Sequence, residues 1–262
     1  MKILFILLLC ASTLRLSAQE YNKSLFAENF NTVYAFESLD SFTPVAGDKS
    51  YIRMFNNSEN LAIQVVAVDK TTQAIFIING LSLYIDINGA RSQRYALNFP
   101  KANNASLPTA LQGTDNADEI LNQWVQRMTT TLSQRPARLQ TPREITELDR
   151  NSAGLYFDNT SGALVYTVEL PLNKLGGDIG NRNSVNVGLS SQFESLSITA
   201  PGGGQVTISP PTGEVFDPSM MEGMTMRVNT GTSGSSGSQP VSIINLRDIM
   251  SGMMVWVPFE TD

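Results

Sequence analysis

Residues 51–100 read YIRMF, NNSEN, LAIQVVAVD, KTTQAIFIING, LSLYIDI, NGARSQ, RYALNFP. In the third block Leu61, Ile63, Val65 and Ala67 alternate with Ala62, Gln64, Val66 and Val68. A period of two belongs to a strand, because successive side chains point to opposite faces of a sheet. Both sets are largely apolar, so this strand is expected in the interior with both faces covered. Leu81, Leu83, Ile85 and Ile87 make one face of a second strand, and Ser82, Tyr84 and Asp86 make the other. That pattern fits an antiparallel sheet with one wet face. Asn88-Gly89 follows, the dipeptide that supplies the positive φ angles of a tight hairpin. Tyr95, Leu97 and Phe99 resume the alternation, and Pro100, which has no N–H to donate, is expected to end it. The block KTTQAIFIING between the two strands reads as a short half-helix.

Working outward, Thr32–Leu39 (TVYAFESL) is a candidate first strand, and Ser41–Ser50, with Pro44, Gly47 and Asp48, is a loop. Downstream, roughly residues 101–150 read as an insertion packed beside the sheets, too short for a core of its own. Its central feature is a helix over Asp115–Gln134, where Ile120, Leu121, Trp124, Val125, Met128 and Leu132 form one apolar stripe. Asn116 and Glu119 fit a capping box. Gly154–Asp158 and Ala163–Leu170 read as a hairpin around Asn159–Gly162. Ser184–Leu196, Gln205–Ser209, Val241–Leu246 and Met253–Phe259 are further strands, and residues 229–239 (NTGTSGSSGSQ) are a flexible tract. About nine or ten short strands and one helix predict an all-β fold, an antiparallel β-sandwich with a helical insertion, as a single domain over residues 19–262.

A chain of 262 residues is long enough for one large β-domain with a sizeable core. The formal charge of −6 disfavours a nucleic-acid partner and adsorption to anionic membranes. Residues 1–18 have the form of a secretory signal peptide: basic Lys2, apolar Ile3–Cys10, and small Ala18 before Gln19. The apolar run is too short to span a bilayer, and no later run is longer. Export to the periplasm or beyond is therefore expected, and loss of Lys2 and Arg15 takes the charge from −6 to −8. Cys10 is the only cysteine. It is either a plain residue of the apolar run or a lipid-anchor site, although Leu9 is not the small residue that lipid-linked cleavage favours.

Two pieces of the chain resemble a known group. In SENLAIQVVAVDKTTQ and IFIINGLSLYIDINGARSQRYALNFP, the residues Asn60-Leu61, Asp69, Gln73, Gly80-Leu81, Tyr84, Asp86, Gly89 and Phe99-Pro100 are similar in order to secreted bacterial β-sandwiches of the DOMON-like, family-9-carbohydrate-binding-module-like group. LYFDNTSGALVYTVELPLNKLG resembles a later strand of the same group. Together these cover a quarter to a third of the chain, about as far as the resemblance reaches. It implies a two-sheet fold and a binding role toward carbohydrate. The paired-tryptophan clamp of family-9 sugar binders has no counterpart here.

Chemistry is narrowed by what is missing. With no histidine, Ser-His-Asp hydrolysis and His-ligated zinc or haem are excluded. Thiol catalysis goes with Cys10. Glu144, Glu147, Asp149 and Glu169 are too scattered to suggest a glycosidase pair. Asp86, Asn88 and Asp69 offer oxygens to calcium, but D-x-N-G is also what a hairpin turn requires. The methionines at 220, 221, 224, 226, 250, 253 and 254 are soft ligands for copper(I) or adaptable packing residues. No metal and no cofactor is expected, and no enzymatic activity. The ligand-binding candidates are Tyr84, Asp86 and Trp256. Tyr84 and Asp86 share a strand face, where a ring stacks on sugar and a carboxylate accepts hydroxyls. Trp256 alternates with Val255 and Val257 on the last strand. The competing expectation is that Tyr84 and Trp256 cover the core under the insertion, as Trp124 does from the helix stripe. The expected role is a non-enzymatic binding module of the cell envelope with a carbohydrate partner; the alternative is an assembly protein that binds another envelope protein.

Overall fold

The structure, a computed structural model, describes residues 22–23, 25–26, 36–45, 47–101, 117–175, 184–191, 196–199, 205–208 and 253–260. In chain order its strands are β1 (Asn22–Lys23), β2 (Leu25–Phe26), β3 (Thr43–Val45), β4 (Ser50–Asn56), β5 (Asn60–Ala67), β6 (Gly80–Asp86), β7 (Tyr95–Lys101), β8 (Arg138–Gln140), β9 (Ile145–Glu147), β10 (Ala153–Asp158), β11 (Ala163–Pro171), β12 (Ser184–Ser191), β13 (Leu196–Thr199), β14 (Gln205–Ile208) and β15 (Met253–Glu260). Helix α1 (Lys70–Asn79) joins β5 to β6, and helix α2 (Ala117–Leu132) lies between β7 and β8. The expected signal peptide with Cys10, the Asn116 cap, the 229–239 tract, the strand Val241–Leu246 and most of the methionine cluster lie outside the described residues.

A seven-stranded sheet runs β1-β15-β12-β6-β7-β8-β9. A six-stranded sheet runs β10-β11-β5-β4-β2, with β3 also on β4, and β13 pairs β14 separately. The all-β expectation with a helical insertion holds. Most pairs are antiparallel, but β1 lies parallel to β15 and β2 parallel to β4, which the sequence did not anticipate. Ile52, Ile63, Val65, Tyr166 and Val168 of one sheet and Leu83, Ile85, Phe99, Val187 and Phe259 of the other enter a single core. Across it the rings of Phe99 and Tyr166 are 5.7 Å apart. As the alternation required, β5 is buried on both faces after its first residue.

Several local expectations change. Thr43–Val45, read as loop, is an edge strand in which Pro44 pairs with Tyr51, a place where a missing N–H costs nothing. Phe36–Leu39, the described part of the proposed first strand, is not a strand. Pro100 does not end β7: its peptide bond with Phe99 is cis, the strand continues to Lys101, and the register with β6 shifts between Gly80 and Ser82. Ser184–Leu196 divides into β12 and the start of β13. The insertion is not wholly beside the sheets, because β8 and β9 extend the seven-stranded one. Its helix α2 packs on α1 and β10, with Trp124 only 3% exposed. Asp69 begins α1: its Oδ2 accepts from the Thr72 N–H and from Thr72 Oγ1, both at 2.9 Å, an N-cap.

The outer face of the six-stranded sheet is covered. Phe42 packs on Val66, Ala163 and Val165 with Phe36, Leu39 and Tyr156 around it. Arg53 fastens this cover. Its guanidinium lies 4.3 Å from the Phe42 ring and 4.7 Å from the Phe55 ring, and its Nε donates to Gln64 Oε1 at 2.7 Å. The Phe36 N–H donates to Tyr156 Oη at 3.2 Å. Burial pushes the Tyr156 phenol above its ordinary pKa and the Arg53 guanidinium below its own, as expected where the charged form loses water.

Candidate functional site

The seven-stranded sheet presents a different outer face. Leu83, Ile85, Val187, Leu189 and Val257 point into the core. The residues between them therefore point away: Ser82, Tyr84 and Asp86 on β6, Asn186, Gly188 and Ser190 on β12, Met254 and Trp256 on β15. Pairing aligns them into rows. Gly188 of β12 lies opposite Tyr84 on one side and opposite Trp256 on the other. The same row continues to Ala96 on β7 and Gln140 on β8. A row crosses the strands at about 4.8 Å per step.

The fold thus brings Tyr84 and Trp256 together. Their ring centroids are 6.2 Å apart and the planes differ by 30°. Both side chains are partly buried. The indole leans back over β12. Its Cζ3, Cε3 and Cη2 lie 3.0, 3.1 and 3.1 Å from the point where a Cβ on Gly188 would sit. Three neighbouring ring carbons at nearly equal distance mean that the ring lies face-on to the strand, not edge-on. Its other face is turned away from the sheet. Tyr84 and Trp256 form two plates tilted by 30° to one another, bordered by the small Ala96 and by polar groups. Ser82 Oγ donates to Asn98 Oδ1 at 2.6 Å, and at the rim Arg138 Nη2 pairs with Glu147 Oε1 at 3.1 Å.

Asp86 shares the outer face with Tyr84 but is only 2% exposed. Its Oδ1 accepts from the Asn88 N–H at 3.0 Å, a turn-stabilising bond. Its Oδ2 has no hydrogen-bond partner among the described residues. Ser190 Oγ, which lies opposite Ser82 toward the other end of β6, is also buried without a partner there. The oxygens proposed for calcium do not assemble: Asp69 caps α1, Asp86 serves the hairpin, and the described residues contain no group of three acidic, histidine or cysteine side chains placed for a metal ion. No helix among the described residues is long and apolar enough to cross a membrane. Trp124 is a packing residue of the core.

The helix of the insertion packs on α1 and β10, and residues 102–116 of the insertion, which was expected to cover Tyr84 and Trp256, lie outside the described residues. Sequence reading did not single out Gly188, Asn186 or Ser190. A glycine in the middle of the alternating SVNVGLSS was the available signal, since such a position marks close approach by another group. Comparison with family models, with curated proteins and with solved structures finds no match for this chain, so the DOMON-like resemblance gains no support from it.

Proposed function

We propose that the protein is an exported, non-enzymatic binding module of the bacterial cell envelope, whose ligand is carbohydrate and whose binding face is the outer face of the seven-stranded sheet. The observation that carries this reading is the Tyr84–Trp256 pair, two aromatic plates 6.2 Å apart on a polar sheet face. Apolar plates edged by hydrogen-bonding groups suit sugar rings, which have apolar faces and polar rims. Asp86 supplies an acceptor, Oδ2, that has no partner of its own among the described residues. Because that oxygen is buried, a sugar hydroxyl reaches it only when the side chains above it move. The signal-like residues 1–18 support export, and the lack of histidine supports a binding role over a catalytic one.

The test is a glycan array probed with the protein lacking residues 1–18, followed by calorimetry on the best ligand with Tyr84→Ala, Asp86→Asn and Trp256→Ala. Loss of either ring should weaken binding by about tenfold, the usual cost of a stacking anchor. A second reading, an assembly protein, is favoured by Ile145, which is 69% exposed on the terminal strand β9. An exposed apolar residue on an open sheet edge suits strand addition by a partner. Silence on the array, with a protein recovered by cross-linking through position 145, would select it.

A further inference from the structure

We propose that Gly188 is a positioning residue of the binding face: by having no side chain it seats the Trp256 indole flat on the sheet and so makes the two-ring platform. This rests on the outer sheet face being the ligand face. Glycine at 188 is not required by the backbone. The described glycines with positive φ are Gly47, Gly80, Gly89 and Gly162, and Gly188 is not among them. It sits inside the extended strand β12, paired on both sides. A side chain at such a position ordinarily favours a strand, so the glycine needs another reason.

The reason is above it. A Cβ at 188 would stand 3.0 Å from Cζ3 of Trp256 and 3.1 Å from two of its ring neighbours. Carbon atoms in ordinary contact stay about 3.5–4.0 Å apart. Alanine therefore forces the ring up by a few tenths of an ångström. Valine adds two methyl groups into the space the ring occupies and forces it to tilt or swing away. Either change alters the alignment with Tyr84, whose plane is now 30° from that of Trp256. A ligand stacks on the face of a flat indole but meets only the edge of a tilted one. Gly188 touches no ligand itself. It acts through the ring.

The experiment uses the protein lacking residues 1–18, with Trp124→Phe so that Trp256 is the only tryptophan. Gly188→Ala, Gly188→Val, Trp256→Ala and the double variant Gly188→Val/Trp256→Ala are titrated calorimetrically with cellohexaose, xylohexaose and chitohexaose. Trp256 emission is recorded without ligand. The expected result is a shifted emission in Gly188→Val, affinity lowered by about tenfold, a smaller loss in Gly188→Ala, and a double variant no weaker than Trp256→Ala alone. That last equality separates positioning from general damage, because without the ring there is nothing to lift. Gly188→Val with unchanged affinity, where Trp256→Ala loses it, would overturn the role of Gly188 and leave the binding face intact. Additive losses would also overturn it. Failure of the parent protein to bind any of the three sugars would remove the carbohydrate face and the role of Gly188 with it.

Discussion

Replacing Tyr166 with phenylalanine should stabilise the protein. Tyr166 belongs to β11, is 1% exposed, and its ring lies against Phe99 of the opposite sheet. Its hydroxyl is sealed in the core and has no partner among the described residues. A buried polar group without a hydrogen bond costs about 1–3 kcal/mol. Phenylalanine keeps the ring and its packing and removes only that group. The expected gain at pH 7 is therefore about 1 kcal/mol or more, or roughly 2–4 °C in Tm for each kcal/mol in a chain of this size. Burial also raises the Tyr166 phenol well above its ordinary pKa. An exposed tyrosine in the unfolded chain ionises at about pH 10. Below that pH both states hold the proton and nothing changes. Above it the unfolded state releases the proton while the folded state keeps it, so wild-type stability falls as pH rises, by up to about 1.4 kcal/mol per unit from this group. Phenylalanine has no such loss. Denaturant unfolding at pH 7, 9 and 11 should show the advantage of Tyr166→Phe holding constant to pH 9 and growing by pH 11, the common titration of other groups cancelling in the difference. A variant less stable than wild type at pH 7, or an advantage that stays flat to pH 11, would refute the unpartnered, sealed hydroxyl.

Trp124→Ala removes a core-facing indole from α2 and should cost ~3–5 kcal/mol in thermal or denaturant unfolding; a change under ~0.5 kcal/mol is that of a surface residue and would contradict its burial. Asp69→Ala removes the N-cap of α1 and should cost about 0.5–2 kcal/mol, while Asp69→Asn should recover most of it. Arg138→Ala breaks an ion pair whose side chains are 50% and 59% exposed, so unfolding should change by less than about 1 kcal/mol and even less in high salt.

Much of the fold was legible because its signals are local. The alternation of Leu61–Ala67 and of Leu81–Ile85, the Asn88-Gly89 turn, the hairpin across residues 159–162 and the apolar stripe of α2 each depend on neighbours in sequence. Short edge strands were not legible. The three residues of β8 and the three of β9 are too few to alternate, and Pro44 disguised β3 as a loop. Helix α1 read as only half a helix because seven of its ten residues are buried, leaving no polar face to contrast with an apolar one. At the site, Tyr84 and Asp86 were bound to share a face, being two apart on one strand. That Trp256 joins Tyr84 could not be read, since it depends on β12 lying between β6 and β15. The burial of Asp86 was equally hidden: a carboxylate on an alternating strand looks solvated until its cross-strand neighbours are known. Phe36 and Leu39 had strand-like composition but serve to close the other sheet's outer face.

The emission of Trp256 on its own reports whether sugars bind on the aromatic pair of the seven-stranded sheet. Trp124→Phe leaves one of the two tryptophans, and the best ligand from the glycan array is titrated into that protein. A saturable change in Trp256 emission is expected, with the same Kd that calorimetry gives, and with a Kd about tenfold higher in Tyr84→Ala. Binding heat with no change at Trp256 would place the ligand elsewhere and rule out the aromatic pair as the site.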